Sequence, residues 1–165
     1  MPKLAEALVE RKSLQERLAR LQQRLTASAK VQEGDQPAEP PGDLLAEMER
    51  TLSQIKRLTI LINRTNSQTR MPDVADGDGG NGQTIMEAIA ERDRLHSHKM
   101  ALDSLSGAAR VQPERGFGLT RNEIKWRSTV DIAALQTQID AVAQDYRLLD
   151  TQIQQANWLT DLIET

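Results

Sequence analysis

The chain has 165 residues, with 21 basic and 24 acidic side chains and a formal net charge of −3. It contains no cysteine, which excludes disulfides and thiolate metal sites, and its mild acidity argues against bulk electrostatic capture of nucleic acid. Two tryptophans, one tyrosine and one phenylalanine are its entire aromatic content. Because compact globules usually bury many aromatic side chains, the interior is expected to be aliphatic.

The first predicted helix runs from Pro2 to about Lys30. Its apolar residues recur at alternating steps of three and four, which is the spacing of a coiled-coil seam. A charge inside such a seam is costly unless it is paired, so the arginine in this seam is expected to have a polar partner. The seam consists of Leu4, Ala7, Arg11, Leu14, Leu18, Leu21 and Leu25.

Prolines and glycines between residues 34 and 42 interrupt the helical pattern. A second helix is predicted from an Asp43 cap to about Ser67, and the fairly short link predicts antiparallel pairing of the two helices. The apolar face of this helix is assigned to Leu44 or Leu45, with Met48, Leu52, Ile55, Leu58 and Ile62.

The second half begins after a glycine-rich stretch at 71–83, which is predicted to be a flexible linker. Thr84 and Glu87 have the spacing of a capping box, so a third helix is predicted to start there and to end near Leu105. Alternating apolar and polar residues then predict a small β element within 108–130.

The fourth helix is predicted to be the longest of the chain. Asp131 has the position of its N-terminal cap, and the apolar pattern continues to about Ile163.

The chain also repeats itself. Residues 4–11, with the seam leucines that follow, recur at a constant spacing as residues 85–92, and the second helix has a counterpart in the fourth. Self-similarity of this kind indicates a duplicated unit. The sequence therefore predicts a mainly α single domain, 1–165, built from two related antiparallel hairpins with coiled-coil-like packing, 1–67 and 84–165.

Polar residues repeat at equivalent seam positions. In an antiparallel hairpin, Arg11 lies roughly level with Asn63 and Asn66, so the asparagines are expected to partner the arginine. A buried polar network of this kind would fix helix register or subunit number, and an anion site built from the two arginines is the alternative. The predicted polar seam network consists of Arg11, Asn63, Asn66, Arg92 and Asn157.

Acidic side chains one turn apart on the first and third helices are weak metal candidates, as in di-metal helical bundles. Histidine at the matching spacing occurs in one repeat alone, so a solvated or salt-bridged face is expected instead, without a metal or other cofactor. No phosphate-binding loop or nucleophile elbow is present, which favours a non-enzymatic function. The metal candidates are Glu6, Glu10, Glu87, Glu91, Asp93 and His96.

Several motifs act together as a family fingerprint. They are residues 4–11, the Ala29–Asp35 stretch with Pro37–Glu39, Ile62–Asn66, Glu123–Lys125, Ser128–Asp131 and Gln155–Trp158. Taken together they resemble the septicolysin-like family of small bacterial proteins over nearly the whole chain. The resemblance implies a helical protein, largely of unknown function, for which the family name suggests a membrane-active cytolysin.

The leading functional hypothesis is a non-enzymatic, self-associating helical scaffold of the bacterial cytoplasm. Slender aliphatic bundles have little core of their own and gain by burying faces between subunits, so a homo-oligomer is expected. No secretion signal or membrane-spanning run is visible. The alternatives are a membrane-active protein with an apolar tip formed by Trp158–Leu159 and Leu162–Ile163, and a carboxylate metal- or anion-binding protein. The sequence identifies no small-molecule ligand.

Overall fold

The structure, a computed structural model, describes residues 1–71, 82–110 and 127–164. It contains α1 (Leu4–Ala27), α2 (Pro41–Gln68), α3 (Ile85–Ala109) and α4 (Ile132–Leu159). The predicted mainly α fold with four long helices is confirmed. The prediction that the fourth helix is the longest was wrong, because α2 and α4 both contain 28 residues.

The helix ends follow local hydrogen bonding. α1 begins at Leu4 rather than Pro2, and the Glu6 carboxylate accepts a bond of 2.7 Å from the Lys3 backbone N–H. Asp131 caps α4 as predicted, since its Oδ1 accepts bonds from the backbone N–H groups of Ala133 and Ala134 at 2.9 and 3.0 Å. These carboxylates satisfy N–H groups that have no partner within their own helices.

The chain divides into two compact units. The first unit comprises Met1–Met86 with Gln154–Thr165. Within it, α1 and α2 pack antiparallel, as predicted for this hairpin. Arg17 Nη2 lies 2.6 Å from Glu47 Oε1 on α2, and Arg24, further along α1, pairs with Glu39 in the segment before α2.

The second unit comprises Glu87–Ile153, which includes most of α3 and α4. The two helices approach each other antiparallel here. Arg92 Nη1 lies 3.5 Å from Asp150 Oδ1, and the rings of His96 and Tyr146 are 5.9 Å apart between centroids. The contacts between α3 and α4 therefore include both charged and aromatic groups.

Two short antiparallel bridges in the first unit share one hydrogen-bonding scheme. The first, between Lys3 and Asp161, joins the two ends of the chain, and the second, between Arg70 and Thr84, joins the end of α2 to the start of α3. Each bridge contains the same two backbone bonds at equivalent positions of the repeat. These are Leu4 N to Thr160 O and Leu162 N to Pro2 O in the first, and Ile85 N to Thr69 O and Met71 N to Gln83 O in the second, all of 2.9 Å.

Burial also repeats between the hairpins. Equivalent seam positions are buried in pairs: Leu4 and Ile85, Ala7 and Ala88, Leu44 and Leu135, and Ile62 and Ile153. The apolar face of the second helix differs from its prediction at Leu52. Leu52 is exposed and Thr51 is buried in its place, where the Thr51 hydroxyl donates to the Glu47 carbonyl at 2.9 Å. A threonine whose hydroxyl bonds within its own helix can be buried without an unsatisfied polar group.

The predicted β element falls mainly on residues 111–126, which lie outside the described residues. The described remainder of 108–130 contains no strand. Residues 72–81 of the predicted linker also lie outside the described part. The single-domain organisation and the flexibility of the linker stay predictions.

Candidate interaction surface

The half-buried Arg92 on α3 has carboxylate partners. Its Nη2 donates to Asp93 Oδ1 at 2.8 Å, and its Nη1 lies 3.5 Å from Asp150 Oδ1 on α4. The hydrogen bond with Asp93 raises the pKa of the guanidinium most, with smaller contributions from the charges of Asp93 and Asp150, while partial burial opposes them. Both of these partners of Arg92 are aspartates rather than asparagines of the predicted network.

The equivalent Arg11 on α1 is also half-buried but has no carboxylate partner among the residues that the structure describes. Among the described residues, no hydrogen bond joins Arg11 to Asn63 or Asn66. Asn63 is exposed, whereas Asn66 and Asn157 are partly buried. The Asn66 Oδ1 atom is buried and has no hydrogen-bond partner within the described ranges. In the described part of the chain no hydrogen bond connects the residues of the proposed network with one another, and the network stays a prediction.

The acidic metal candidates have separate local roles. Glu6 caps α1, Glu91 binds Arg94 at 2.7 Å, and Asp93 binds Arg92. His96 lies beside the Tyr146 ring. Glu10 is exposed, and Glu87 is exposed but has an interaction partner. Within the described ranges, no three of the His, Asp and Glu side chains are grouped closely enough to hold a metal ion.

The clearest surface feature of the first unit is a row of exposed side chains on α2, which we call the α2 stripe: Leu45, Glu49, Leu52, Lys56 and Ile60. Steps of three and four residues keep these side chains on one face of the helix. Leu45, Leu52 and Ile60 are 47%, 45% and 49% exposed. The row is about 22 Å long at a rise of about 1.5 Å per residue. It lies beside the partly buried Met48 and Ile55, so the apolar surface of α2 is wider than the seam that α1 covers.

The charged members of the stripe have no ion-pair partner in the described part of the chain. Glu49 and Lys56 are both exposed, while the neighbouring Glu47 on the side facing α1 binds Arg17. Glu49 and Lys56, which carry opposite charges and flank Leu52 in the stripe, are therefore available to interact with another molecule.

The equivalent row on α4 preserves the charges and lacks the large apolar groups. Its residues, which we call the α4 stripe, are Gln136, Asp140, Ala143, Arg147 and Thr151. Asp140 Oδ1 accepts a bond of 3.0 Å from Gln136 Nε2. The internal repeat indicates which leucines of α2 are exposed, which periodicity alone does not. The exposed Leu45 and Leu52 correspond to Gln136 and Ala143, whereas the buried Leu44 corresponds to the buried Leu135.

The predicted apolar tip is exposed in part. Trp158 and Leu159 lie on the surface, while Leu162 is buried. No helix in the described segments combines the length and the apolar composition needed to cross a bilayer.

Comparison with known proteins identifies the family of the chain, but the family has no assigned activity. No functionally curated protein matches the chain. A solved structure from Corynebacterium diphtheriae, described as a functionally unknown conserved protein, is 38% identical with a TM-score of 0.85, and the match covers 98% of this chain and 99% of that chain. The resemblance to the septicolysin-like family was wrong, because neither this structure nor the matching family model indicates it. That model is a family of unknown function, DUF6847, matched by residues 11–162, and the chain belongs to this family.

Proposed function

We propose that the protein is a non-enzymatic helical scaffold that associates with itself through the α2 stripe. The observation that carries the proposal is the exposure of Leu45, Leu52 and Ile60 on one face of a helix whose other face is already packed against α1. Contiguous exposed apolar side chains rimmed by charged ones are typical of protein–protein interaction sites. Scattered apolar residues need no such explanation, but these three follow the spacing of a helix-packing seam.

The contrast with α4 supports a role in association rather than in folding. Gln136 and Ala143 stand at the positions of Leu45 and Leu52, in a helix that occupies the corresponding place in its own hairpin. The fold therefore accommodates a polar or small residue at these positions. A requirement confined to one hairpin is what an intermolecular contact would produce.

Sedimentation velocity over a range of micromolar concentrations tests the proposal. The unmodified protein is expected to sediment as a reversible dimer or larger species. The double variant Leu45→Gln with Leu52→Ala, which copies the residues of α4, is expected to weaken association by at least about a hundredfold, because each leucine contributes about 1–2 kcal/mol on burial and both copies carry the substitutions. Its helical circular dichroism should be unchanged.

A matched control is the single variant Leu148→Gln. Leu148 is an equally large exposed residue outside the α2 stripe, so its replacement is expected to leave association unaltered. An unmodified protein that stays monomeric at every concentration would contradict the proposed function.

A further inference from the structure

We infer that the partner of the α2 stripe is the same stripe of a second copy, running antiparallel about a twofold axis near Leu52; this rests on the proposed function. The charge order along the stripe supports this arrangement. Glu49 lies three residues before Leu52 and Lys56 lies four residues after it, and both are exposed. A twofold axis at the leucine brings each glutamate alongside the lysine of the other copy.

The apolar residues follow the same order. Leu45 precedes Leu52 by seven residues and Ile60 follows it by eight, so the antiparallel arrangement places these two large side chains opposite each other across the axis. Leu52 then meets its own counterpart at the centre. The stripe is therefore nearly self-complementary under rotation, which is the condition for an interface that uses the same patch on both subunits.

A parallel pairing of the two stripes fails on charge. It would bring Glu49 next to Glu49 and Lys56 next to Lys56, and like charges side by side disfavour a complex. In the antiparallel pairing the two opposite-charge contacts flank the apolar residues, where charged pairs in antiparallel helices set orientation and partner choice.

Charge reversal tests the pairing. In Glu49→Lys alone, both flanking contacts become lysine against lysine, and in Lys56→Glu alone both become glutamate against glutamate. Each single variant is expected to dimerise at least about tenfold more weakly than the unmodified protein. Mixing the two single variants in equal amounts restores opposite charges at both contacts, so a heterodimer is expected to form with near-original affinity.

Two further proteins make the outcome decisive. The double variant Glu49→Lys with Lys56→Glu restores opposite charges within one sequence and is expected to associate like the unmodified protein. Asp140→Lys changes the equivalent charge on the α4 stripe and is expected to have no effect. Circular dichroism of each variant checks that the helices are intact, which is expected because all of the substituted side chains are exposed.

The outcomes separate this inference from the proposed function. If the unmodified protein never associates, the proposed function fails. If the unmodified protein associates and each single charge-reversal variant associates as tightly as it does, the antiparallel pairing is overturned, while self-association through another face or register stands. The pairing is also overturned if the single variants are monomeric but their mixture forms no heterodimer.

Discussion

At the scale of single residues, Thr65 is the clearest connection between distant parts of the chain. Its side chain is fully buried near the end of α2. The hydroxyl donates to the Leu61 carbonyl at 2.9 Å and accepts a bond of 3.0 Å from the backbone N–H of Ile163 near the C-terminus. The equivalent residue in the second hairpin is Ala156, so this contact is a departure from the internal repeat.

Thr65→Val is expected to lower the free energy of unfolding by about 1–2 kcal/mol, because a methyl group of the same shape leaves the Ile163 N–H without an acceptor. Urea unfolding measures the change. Thr51→Val is the matched control, since Thr51 is also buried but its hydroxyl donates to its own helix alone, at Glu47. Its effect is expected to stay within about 0.5 kcal/mol, and equal effects of the two substitutions would contradict the role given to Thr65.

At the scale of helices, two ion pairs connect α1 with α2 and the segment before it. Arg24 binds Glu39, and Arg17 binds Glu47 with an Nη2–Oε1 distance of 2.6 Å. The hydrogen bond from its arginine is the main reason that the pKa of each glutamate lies below its ordinary value. Both pairs are open to solvent, so their contribution to stability is small and falls with added salt.

The pH dependence of the hairpin follows from these pairs. A glutamate whose pKa is lowered by folding stabilises the folded state above its ordinary pKa, and this stabilisation is lost as the pH falls through the lower folded value. The variant Arg17→Gln with Arg24→Gln is therefore expected to unfold at a lower temperature than the unmodified protein at neutral pH. The difference should shrink as the pH is lowered below the ordinary pKa of glutamate.

Thermal unfolding by circular dichroism across this pH range measures the effect. Arg20→Gln is the control, because Arg20 is exposed on α1 and has no ion pair among the described residues. A difference between the double variant and the unmodified protein that does not change with pH would show that the arginines act by packing.

The sequence predicted the helices well and the exposed side of α2 poorly. Periodicity identifies an apolar face of α2 but does not separate two adjacent rows on it. Leu44 and Thr51 form the buried row, and Leu45 and Leu52 form the exposed row. Because leucine is more apolar than threonine, hydropathy favours the row that the fold leaves exposed. Similarly, the repeat predicted a polar partner for Arg92 but not its identity, because Asp93 and Asp150 correspond to Lys12 and Thr59 in the first hairpin. The backbone bridges have no local sequence signal, since they join segments far apart in the chain.

At the scale of the whole chain, the contact between residues near its two ends has the same hydrogen bonding as the connection between α2 and α3. Lys3 and Asp161 pair as Thr84 and Arg70 do, with the same backbone hydrogen bonds. In addition, Lys3 Nζ lies 2.8 Å from Asp161 Oδ1 and donates to the Leu159 carbonyl at 3.2 Å. The termini are thus held beside each other by the kind of contact that elsewhere connects α2 to α3.

A circular permutant is expected to fold on this basis. The permutant joins Thr165 to Met1 through a copy of residues 72–81 and opens the chain within the original 72–81 segment. The Lys3–Asp161 bridge then lies within the chain and the Arg70–Thr84 bridge lies between its new ends, and no described contact is removed. Helical content should match that of the unmodified chain, and the unfolding temperature should differ by no more than about 5 °C. As a control, a permutant opened in the middle of α2 should lose cooperative unfolding. Equal behaviour of the two permutants would contradict the equivalence of the junctions.

Each of the two bridges pairs one residue from the first half of the chain with one residue from the second half. Neither half can therefore form either bridge by itself. Fragments covering residues 1–71 and 82–165, produced separately, each lack the backbone hydrogen-bond partners that the other fragment supplies in the intact chain. The two fragments are therefore expected to reconstitute the native helices by complementation when they are mixed, without a covalent connection between them.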